Sequence, residues 1–451
     1  MSDLLVRGKE LMARLPSLPG EVELFLEQSR STTVKVYQGR VESLVRGEPS
    51  GVGVRYLVQG REGHAYTAGL EDEAFDAAVR EAVENARAVD SDEAVGLIEG
   101  PAEYLDIPGL WRPGLAEAGV EERIALALAA ERAALDSPEV ETVEESVYSD
   151  TEGRVAILST VGIEASAAQT FCYCYASAHA RRDQDVQTGL GYDTGREPGE
   201  LDPEAAGRMA GERAARLLGA RPCPTGTYTI VLDREVTAAV LSVVVRALSA
   251  EAVQKGRSLF AGRLDREVAA PVVNLVDDGI HPEGMDSAPF DDEGTPRGRT
   301  VLIENGVLRT YLYDAYTARR EGGGTRSTGN AHRGSYRGTP SVSSNNLILA
   351  EGRGGLEDLF RRVGDGLYVV GVKGLHSGAN PVSGEFSVGV TGHLVEGGAL
   401  GAGVREVTIA SDLVSLLSSL ADRAADARWI PFYGSALTPS VAIEGVTVSG
   451  T

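Results

Sequence analysis

Apolar and polar positions alternate along Glu21–Glu27 and Thr33–Val45, with Gln38-Gly39-Arg40 between the arms of a turn. A period of two puts successive side chains on opposite faces of a strand, so these stretches predict strands. The same meander continues through 51–59 and 63–67 around Gly60. At 71–88 the period changes: Phe75, Ala78, Val79, Ala82 and Val83 recur at helical spacing and predict an amphipathic helix. Residues 89–118 read as loop-rich, with a turn at Trp111–Gly114. Beyond them the pattern predicts a helix over 121–134, strands over 140–149, 154–159 and 161–176 with an extension at 181–191, and a helix over 201–218. Gly219–Pro224 interrupts every period and marks a boundary.

The second half opens with a strand at 226–232 and a long helix over 233–255, whose inward positions are Val236, Val240, Leu241, Val244, Val245 and Leu248. Asp233 and Glu235 start that helix and Lys255-Gly256 end it, charges that match the helix dipole. A strand is expected over 271–277, and Glu304-Asn305-Gly306 reads as a hairpin turn between 300–303 and 307–310. A short helix over 311–319, a polar loop from Gly322 to Pro340 and a helical turn over 356–361 are expected among strands at 345–349, 366–373, 386–395 and 404–408. Residues 397–403 read as a turn, 409–424 as a helix with Leu413, Leu416, Leu417 and Leu420 on one face, and the tail as strand. The expected fold class is α+β in two domains. Residues 1–220 form an antiparallel sheet with helices on one side, and residues 221–451 a strand-rich domain of mixed and antiparallel sheets with a few helices.

Composition narrows the function. The 66 acidic residues exceed the 43 basic ones, for a formal charge of -23, which argues against a dedicated nucleic-acid surface. The 55 glycines in 451 residues exceed the usual level of about 7% and point to many tight turns. Three cysteines form no disulfide framework, and the opening M-S-D-L-L-V-R-G-K-E has no apolar core of a signal peptide. A soluble cytoplasmic protein without a membrane helix is expected.

Candidate chemistry concentrates in the loops of the second half. Asp291-Asp292-Glu293 precedes Gly294, and Arg326, Asn330, Arg333, Tyr336 and Arg337 follow within 50 residues. An acidic triplet is either a solvated turn or a set of acceptors for an arginine or an amide at a cleft. Four of the six histidines (His281, His332, His376 and His393) lie here, yet none is spaced from another as helical metal ligands are. A hydrolase built on His281, Asp286, Asp291 and His332 stays open as one alternative. No Walker A sequence or G-x-S-x-G elbow is present.

Several stretches resemble the TldD/PmbA family: V-V-N-L-V-D-D-G (272–279), F-D-D-E-G-T-P (290–296), R-T-V-L-I-E-N-G-V-L (299–308), Y-L-Y-D-A-Y-T-A-R-R (311–320), T-G-N-A-H-R-G-S-Y (328–336), S-N-N-L-I-L (344–349) and S-G-E-F-S-V-G-V-T-G (383–392). The resemblance implies a two-domain architecture and a dimer. In the family a TldD-type subunit carries a zinc motif, H-E-x-x-x-H, on the helix that here is 233–255, with a cysteine ligand nearer its C-terminus. Its PmbA-type partner, also called TldE, completes a metallopeptidase acting on unfolded or flexible peptides. The motif positions fall near Ser242, Val243 and Ala247, none of which reproduces the motif, and residues 425–451 contain no cysteine. The resemblance therefore implies a PmbA/TldE-type subunit with no catalytic residues and no metal of its own, zinc residing in a TldD-type partner. Asp291, Asp292, Glu293, Arg326, Asn330, Arg333 and Tyr336 are the candidates for the wall of a peptide cleft. A homodimeric peptide-binding scaffold without an enzyme partner is the second alternative.

Overall fold

The computed structural model describes residues 3–100 and 103–451; residues 101 and 102 of the loop-rich stretch lie outside them. The α+β class is as expected, and the chain forms two compact units. The first comprises Met1–Leu218, Ala288–Arg297 and Asp314–Ser341; the second comprises Gly219–Ser287, Gly298–Tyr313 and Val342–Thr451. The expected division near residue 220 left both inserted segments in the C-terminal domain, whereas they pack into the first unit.

Seven antiparallel strands make the sheet of the first unit: β1 (Glu21–Tyr37), β2 (Arg40–Gly47), β3 (Ser50–Val58), β4 (Arg61–Ala68), β5 (Val140–Ser159), β6 (Glu164–Arg182) and β7 (Asp185–Gly195). Their order is β4-β3-β1-β5-β6-β7, with β2 added to the second half of β1. β1 and β5 are each one long strand where two shorter ones were expected. Both run without interruption because each is paired along its length: β5 bonds β1 from Ser146 to Ser159 on one side and β6 on the other. The polar run Asp150–Gly153 is thus held in the ladder despite its low strand propensity. Left-handed pairs, Gln38-Gly39 and Gln59-Gly60, close the first two hairpins.

Four helices cover one face of this sheet. Asp3–Ala13 and Asp72–Arg87 pack over Val22, Leu24, Leu26, Val52, Val54, Ala156 and Leu158. In the second of them Ala86 is buried with the expected Phe75, Ala78, Val79 and Ala82, and Val83 packs half-buried against the same core. Val120–Leu135 and Pro203–Arg216 cover the other half of the same face, over Val34, Val36, Tyr148, Cys172 and Ala176. These two helices touch closely enough that a Cβ on Gly207 would sit 2.2 Å from the Ala130 carbonyl. Pro113 begins a short helix, Pro113–Glu117, where a turn was expected, as suits proline in a first helical turn. Burial raises the Cys172 and Cys174 thiols, the latter to about 12, so both are inert core groups.

In the second unit five strands close on themselves. Ala399–Asp412, Glu385–Glu396, Gly366–Lys373, Gly226–Leu232 and Val441–Ser449 pair in turn, and Val441–Ser449 also pairs with Ala399–Asp412. Gly226–Leu232 and Gly366–Lys373 are parallel. A second sheet runs 307–308, 299–304, 275–278, 346–349, 435–438, 428–430. Asn305-Gly306 turns its hairpin with both residues left-handed. The helix expected over 409–424 is only Leu413–Ser418. Residues up to Asp412 remain paired with Glu385–Glu396, and Leu420–Arg423 pairs with Val441–Ile443, so ladder bonds override the leucine spacing. The strand expected at 404–408 accordingly begins at Ala399, the turn shrinking to Gly397-Gly398. The helix expected over 311–319 begins at Ala315, because Asp314 caps it by accepting from the Thr317 amide at 2.7 Å. Among the described residues no helix is long and apolar enough to cross a membrane.

Candidate functional site

Two places bear on the candidate chemistry: the 233–255 helix, where the family's zinc motif was expected to be missing, and the loops of 290–337. The helix is two pieces, Arg234–Ala247 and Ala250–Gln254. Asp233 caps the first, accepting from the Glu235 amide at 2.9 Å and from the Tyr368 hydroxyl at 2.7 Å. The break comes where the Leu248 carbonyl accepts from Leu312 N–H, and the Ala250 N–H donates to Leu312, each at 2.9 Å. These bonds recruit the backbone into a strand-like bridge in place of the next helical turn.

Along the first piece Ser242 donates its hydroxyl to the Ala239 carbonyl at 2.7 Å, the ordinary use of a mid-helix serine. Val243 and Ala247 are buried, and neither has a donor atom for a metal. The inward face borders an apolar void of only about 20 Å³, lined by residues including Val240, Leu241, Leu416 and Leu417. A zinc ion with its ligands does not fit residues of this chemistry. Among the described residues, no group of three or more His, Cys, Asp or Glu side chains is arranged to hold a metal ion.

The loops form a different object. Segments 288–297 and 314–341 lie on the face of the first unit's sheet opposite the helices. Phe290 and Tyr336 join Phe25, Ile157, Ile163 and Ala165 in one buried cluster. Tyr336 packs where β3 has no side chains: a Cβ on Gly51 would stand 2.3 Å from the Tyr336 ring, and one on Gly53 2.3 Å from its carbonyl oxygen. The Tyr336 amide donates to Glu27 at 3.0 Å.

Beside this apolar patch is a buried ionic network. Glu23 and Arg55 are direct cross-strand partners, and Arg55 Nη1 donates to both Glu23 oxygens at 3.2 and 3.3 Å. Its Nε and Nη2 form a fork on Glu62 at 3.1 and 2.8 Å. Burial works against the Arg55 charge, but the Glu23 and Glu62 carboxylates outweigh it and raise the pKa. Burial likewise works to raise Glu62, and Arg55 overcomes it and holds that carboxyl below its usual range. Arg333 Nη2 donates to Glu23, and the guanidinium lies 4.8 Å from the Phe25 ring centre. Its buried Nη1 has no hydrogen-bond partner.

The acidic triplet faces inward rather than toward solvent. Asp291 is wholly buried and accepts from the Glu293, Thr295 and Ala331 amides at 3.0, 2.9 and 3.1 Å. Burial, then the nearby Glu293, raise its pKa well above the carboxylate range against the pull of those amides. Glu293 accepts from the Ala315 amide at 2.9 Å and lies 3.7 Å from Arg55. Burial pushes it up to about 7 despite Arg55. Asp292 takes the Arg333 amide at 2.7 Å, and its carbonyl takes Arg333 Nε at 3.0 Å. Asn330 is buried and accepts from the Thr328 hydroxyl at 2.6 Å.

Asp291, Asp292, Glu293, Arg333 and Tyr336 are thus brought together, with Asn330 beside them. Arg326 stays exposed on the loop outside this cluster. Asp291 and His332 belong to the first unit and His281 and Asp286 to the second. His281 Nδ1 accepts from the Glu283 amide at 3.2 Å, and its ring meets Trp429 edge-on at 5.2 Å. The sequence reading missed Glu23, Arg55 and Glu62. Their signal was present, since Glu23 and Arg55 are opposite charges inside otherwise apolar strand runs, V-E-L-F-L and V-G-V-R-Y-L.

A second polar knot holds the 279–287 loop in the second unit. Asn346 Nδ2 donates to the Asp278 carbonyl and the Ser287 hydroxyl at 2.7 and 2.9 Å. Its Oδ1 accepts from the Asp286 amide and the Ser435 hydroxyl at 2.9 and 2.6 Å. Buried Asp277 accepts from the Asn345 amide and side chain at 2.8 and 3.0 Å.

Comparison with known proteins matches three family models along the chain: PmbA/TldA metallopeptidase domain 1 over residues 22–86, the central domain over 113–218 and the C-terminal domain over 225–450. The chain is 25% identical over 427 residues to the metalloprotease PmbA of Escherichia coli O157:H7, covering 94% of this chain and 92% of that one. A Thermotoga maritima protein solved as a proposed modulator of a DNA gyrase is 29% identical and superposes with a TM-score of 0.90, over 98% of this chain and 99% of its own. TldE from Thermococcus kodakarensis shares the fold at a TM-score of 0.88, with 23% identity over 99% of each chain.

Proposed function

The chain belongs to the PmbA/TldD metallopeptidase family, and on that premise we propose that it is a PmbA/TldE-type subunit with no hydrolytic site of its own. It pairs in the cytoplasm with a zinc-bearing TldD-type subunit and helps that partner act on unfolded or flexible peptides. The hydrolytic step belongs to the partner. This chain contributes surface that holds an extended peptide, for which free strand edges are suited.

The observation that carries this reading is the Arg234–Ala247 helix. Ser242 spends its hydroxyl on Ala239, and Val243 and Ala247 are buried apolar residues. No metal ligand and no base to activate water are available there. The net charge of -23 also speaks against a nucleic-acid role.

Co-expression with a TldD-type chain tests it. The pair is expected to co-purify, to hold zinc at one per TldD-type subunit and to cleave an unstructured peptide, while this chain alone holds no stoichiometric zinc and cleaves nothing. Zinc near one per chain and peptidase activity in the isolated protein would sink the proposal. Self-association without affinity for any TldD-type chain would instead support the scaffold alternative.

A further inference from the structure

We propose that residues 288–297 and 325–337 form a lid on the outer face of the first unit's sheet, opening as one cooperative piece, with Gly322–Gly324 as the hinge of its second segment. The lid is stitched to itself through its backbone. Asp292 N–H donates to the Ala331 carbonyl at 3.0 Å, the Ala331 amide donates to Asp291, and the Arg333 amide donates to Asp292. Left-handed Gly329 closes this seam, since a Cβ there would lie 2.8 Å from the Pro296 carbonyl oxygen.

The lid's attachments to the sheet run through side chains. Arg333 reaches Glu23, Arg55 reaches Glu293, the Tyr336 amide reaches Glu27, and Tyr104 donates its hydroxyl to the Gly294 carbonyl at 2.8 Å. The Ala315 amide on Glu293 at 2.9 Å and the buried Phe290 and Tyr336 rings complete the attachments, and a segment bonded internally in this way is a natural unit of local opening.

The hinge is as well defined. Gly322, Gly323 and Gly324 all have left-handed φ (72°, 62° and 84°), with open space where each Cβ would stand. The preceding helix, Ala315–Glu321, remains anchored: Tyr316 donates to Asp92 at 2.7 Å, and Arg319 donates to the Gly96 and Leu97 carbonyls at 2.6 and 2.5 Å. The second lid segment can therefore swing without carrying this helix with it.

Carboxyls crowd the closed state. Around the two buried guanidiniums, Arg55 and Arg333, stand the carboxyls of Glu23, Glu62, Asp291, Asp292, Glu293 and Asp314, with Glu27 at the Tyr336 amide, His64 beside Arg55 and Arg337 at the rim. Opening lets water reach the excess carboxyls and bares Phe25, Ile157 and the glycine floor of β3. The lid stands as a device of this chain whether or not a catalytic partner exists.

Hydrogen exchange on the full chain, read segment by segment, tests the proposal. In the wild type, amides of 290–296 and 329–336 exchange through one common opening, faster than those of β1, β3 and β5. Arg333→Met removes one attachment, together with the Nε bond to the Asp292 carbonyl, while Glu23 keeps Arg55, and Gly53→Ala wedges the floor without touching a charge. Each is expected to speed exchange in both lid segments by the same factor, about tenfold or more, and to leave helices Asp3–Ala13 and Asp72–Arg87 unchanged. Unequal factors in the two segments, no acceleration, or equal acceleration throughout the first unit would each overturn the lid. If Gly53→Ala does not fold, Tyr336→Ala empties the same floor from the other side and is held to the same outcomes.

Discussion

Arg333 and Glu23 lie 310 positions apart in the chain and form an ion pair with side chains 0% and 2% exposed. Glu23 serves Arg55 as well, so one carboxylate is shared by two buried guanidiniums. Removing one partner of a buried pair costs about 3–5 kcal/mol because the other charge is left uncompensated. Glu23→Gln is therefore expected to destabilise by about that amount. Arg333→Met leaves Glu23 paired with Arg55 and costs less, about 1–3 kcal/mol. Chemical denaturation of both variants checks the order, and a reversed order would show that the carboxylate is not shared.

Proton linkage makes a second prediction. Glu293 is raised from 4.5 to about 7 in the folded protein. Its contribution to stability is fully present below pH 4.5 and is lost as pH rises through about 7, by on the order of 3 kcal/mol. His64 runs the other way. Burial, then Arg333, lower its pKa below 6.5, so its contribution is present above pH 6.5 and lost as pH falls. Subtracting the stability of Glu293→Gln from that of the wild type removes the His64 contribution. The difference should fall between about pH 4.5 and 7 and level off above; a flat difference would contradict the raised carboxyl.

Asn346 is buried, and its side-chain amide is bonded to Asp278, Ser287, Asp286 and Ser435. Asn346→Leu removes those partners together. The expected cost is about 3–5 kcal/mol, from several buried polar groups left unpaired at about 1–3 kcal/mol each with partial relaxation. Thermal unfolding measures the loss, and faster proteolysis within 279–287 would locate it.

The helix makes a prediction about metal. Ala247→His places an imidazole at a position that is 0% exposed and does not line the small apolar void beside the helix. Overpacking of this kind typically costs about 1–3 kcal/mol. The variant is expected to lose stability and gain no zinc by metal analysis of the dialysed protein. Stoichiometric zinc uptake would mean that the helix surroundings still hold a preformed site.

The period of the apolar positions located most elements because strands and amphipathic helices each bury one regular face. It failed where the ladder decided. The leucines at 413, 416, 417 and 420 fit a helix, but Asp412 and Leu420 belong to strands whose partners are far away in sequence. Asp150–Gly153 breaks the apolar period between two expected strands, yet β1 and β6 claim its amides. The candidate loop residues were visible as charged and aromatic groups on a long loop, while their burial was not, because what covers them is a sheet some 270–310 residues earlier. Arg326 illustrates the limit: it is near Arg333 in sequence, yet only the latter faces the sheet.

That separation also sets a timetable for biosynthesis. The strands carrying Phe25, Glu23, Arg55 and Ile157 are all made by residue 159, yet Tyr336, which seats on them, follows the 218-residue opening block by 118 positions (336 minus 218). At about 5–20 residues per second a ribosome needs roughly 6 to 24 s to cover that interval. Throughout it the nascent chain carries an apolar strip and an ion pair awaiting their cover, and that is when a chaperone would engage it.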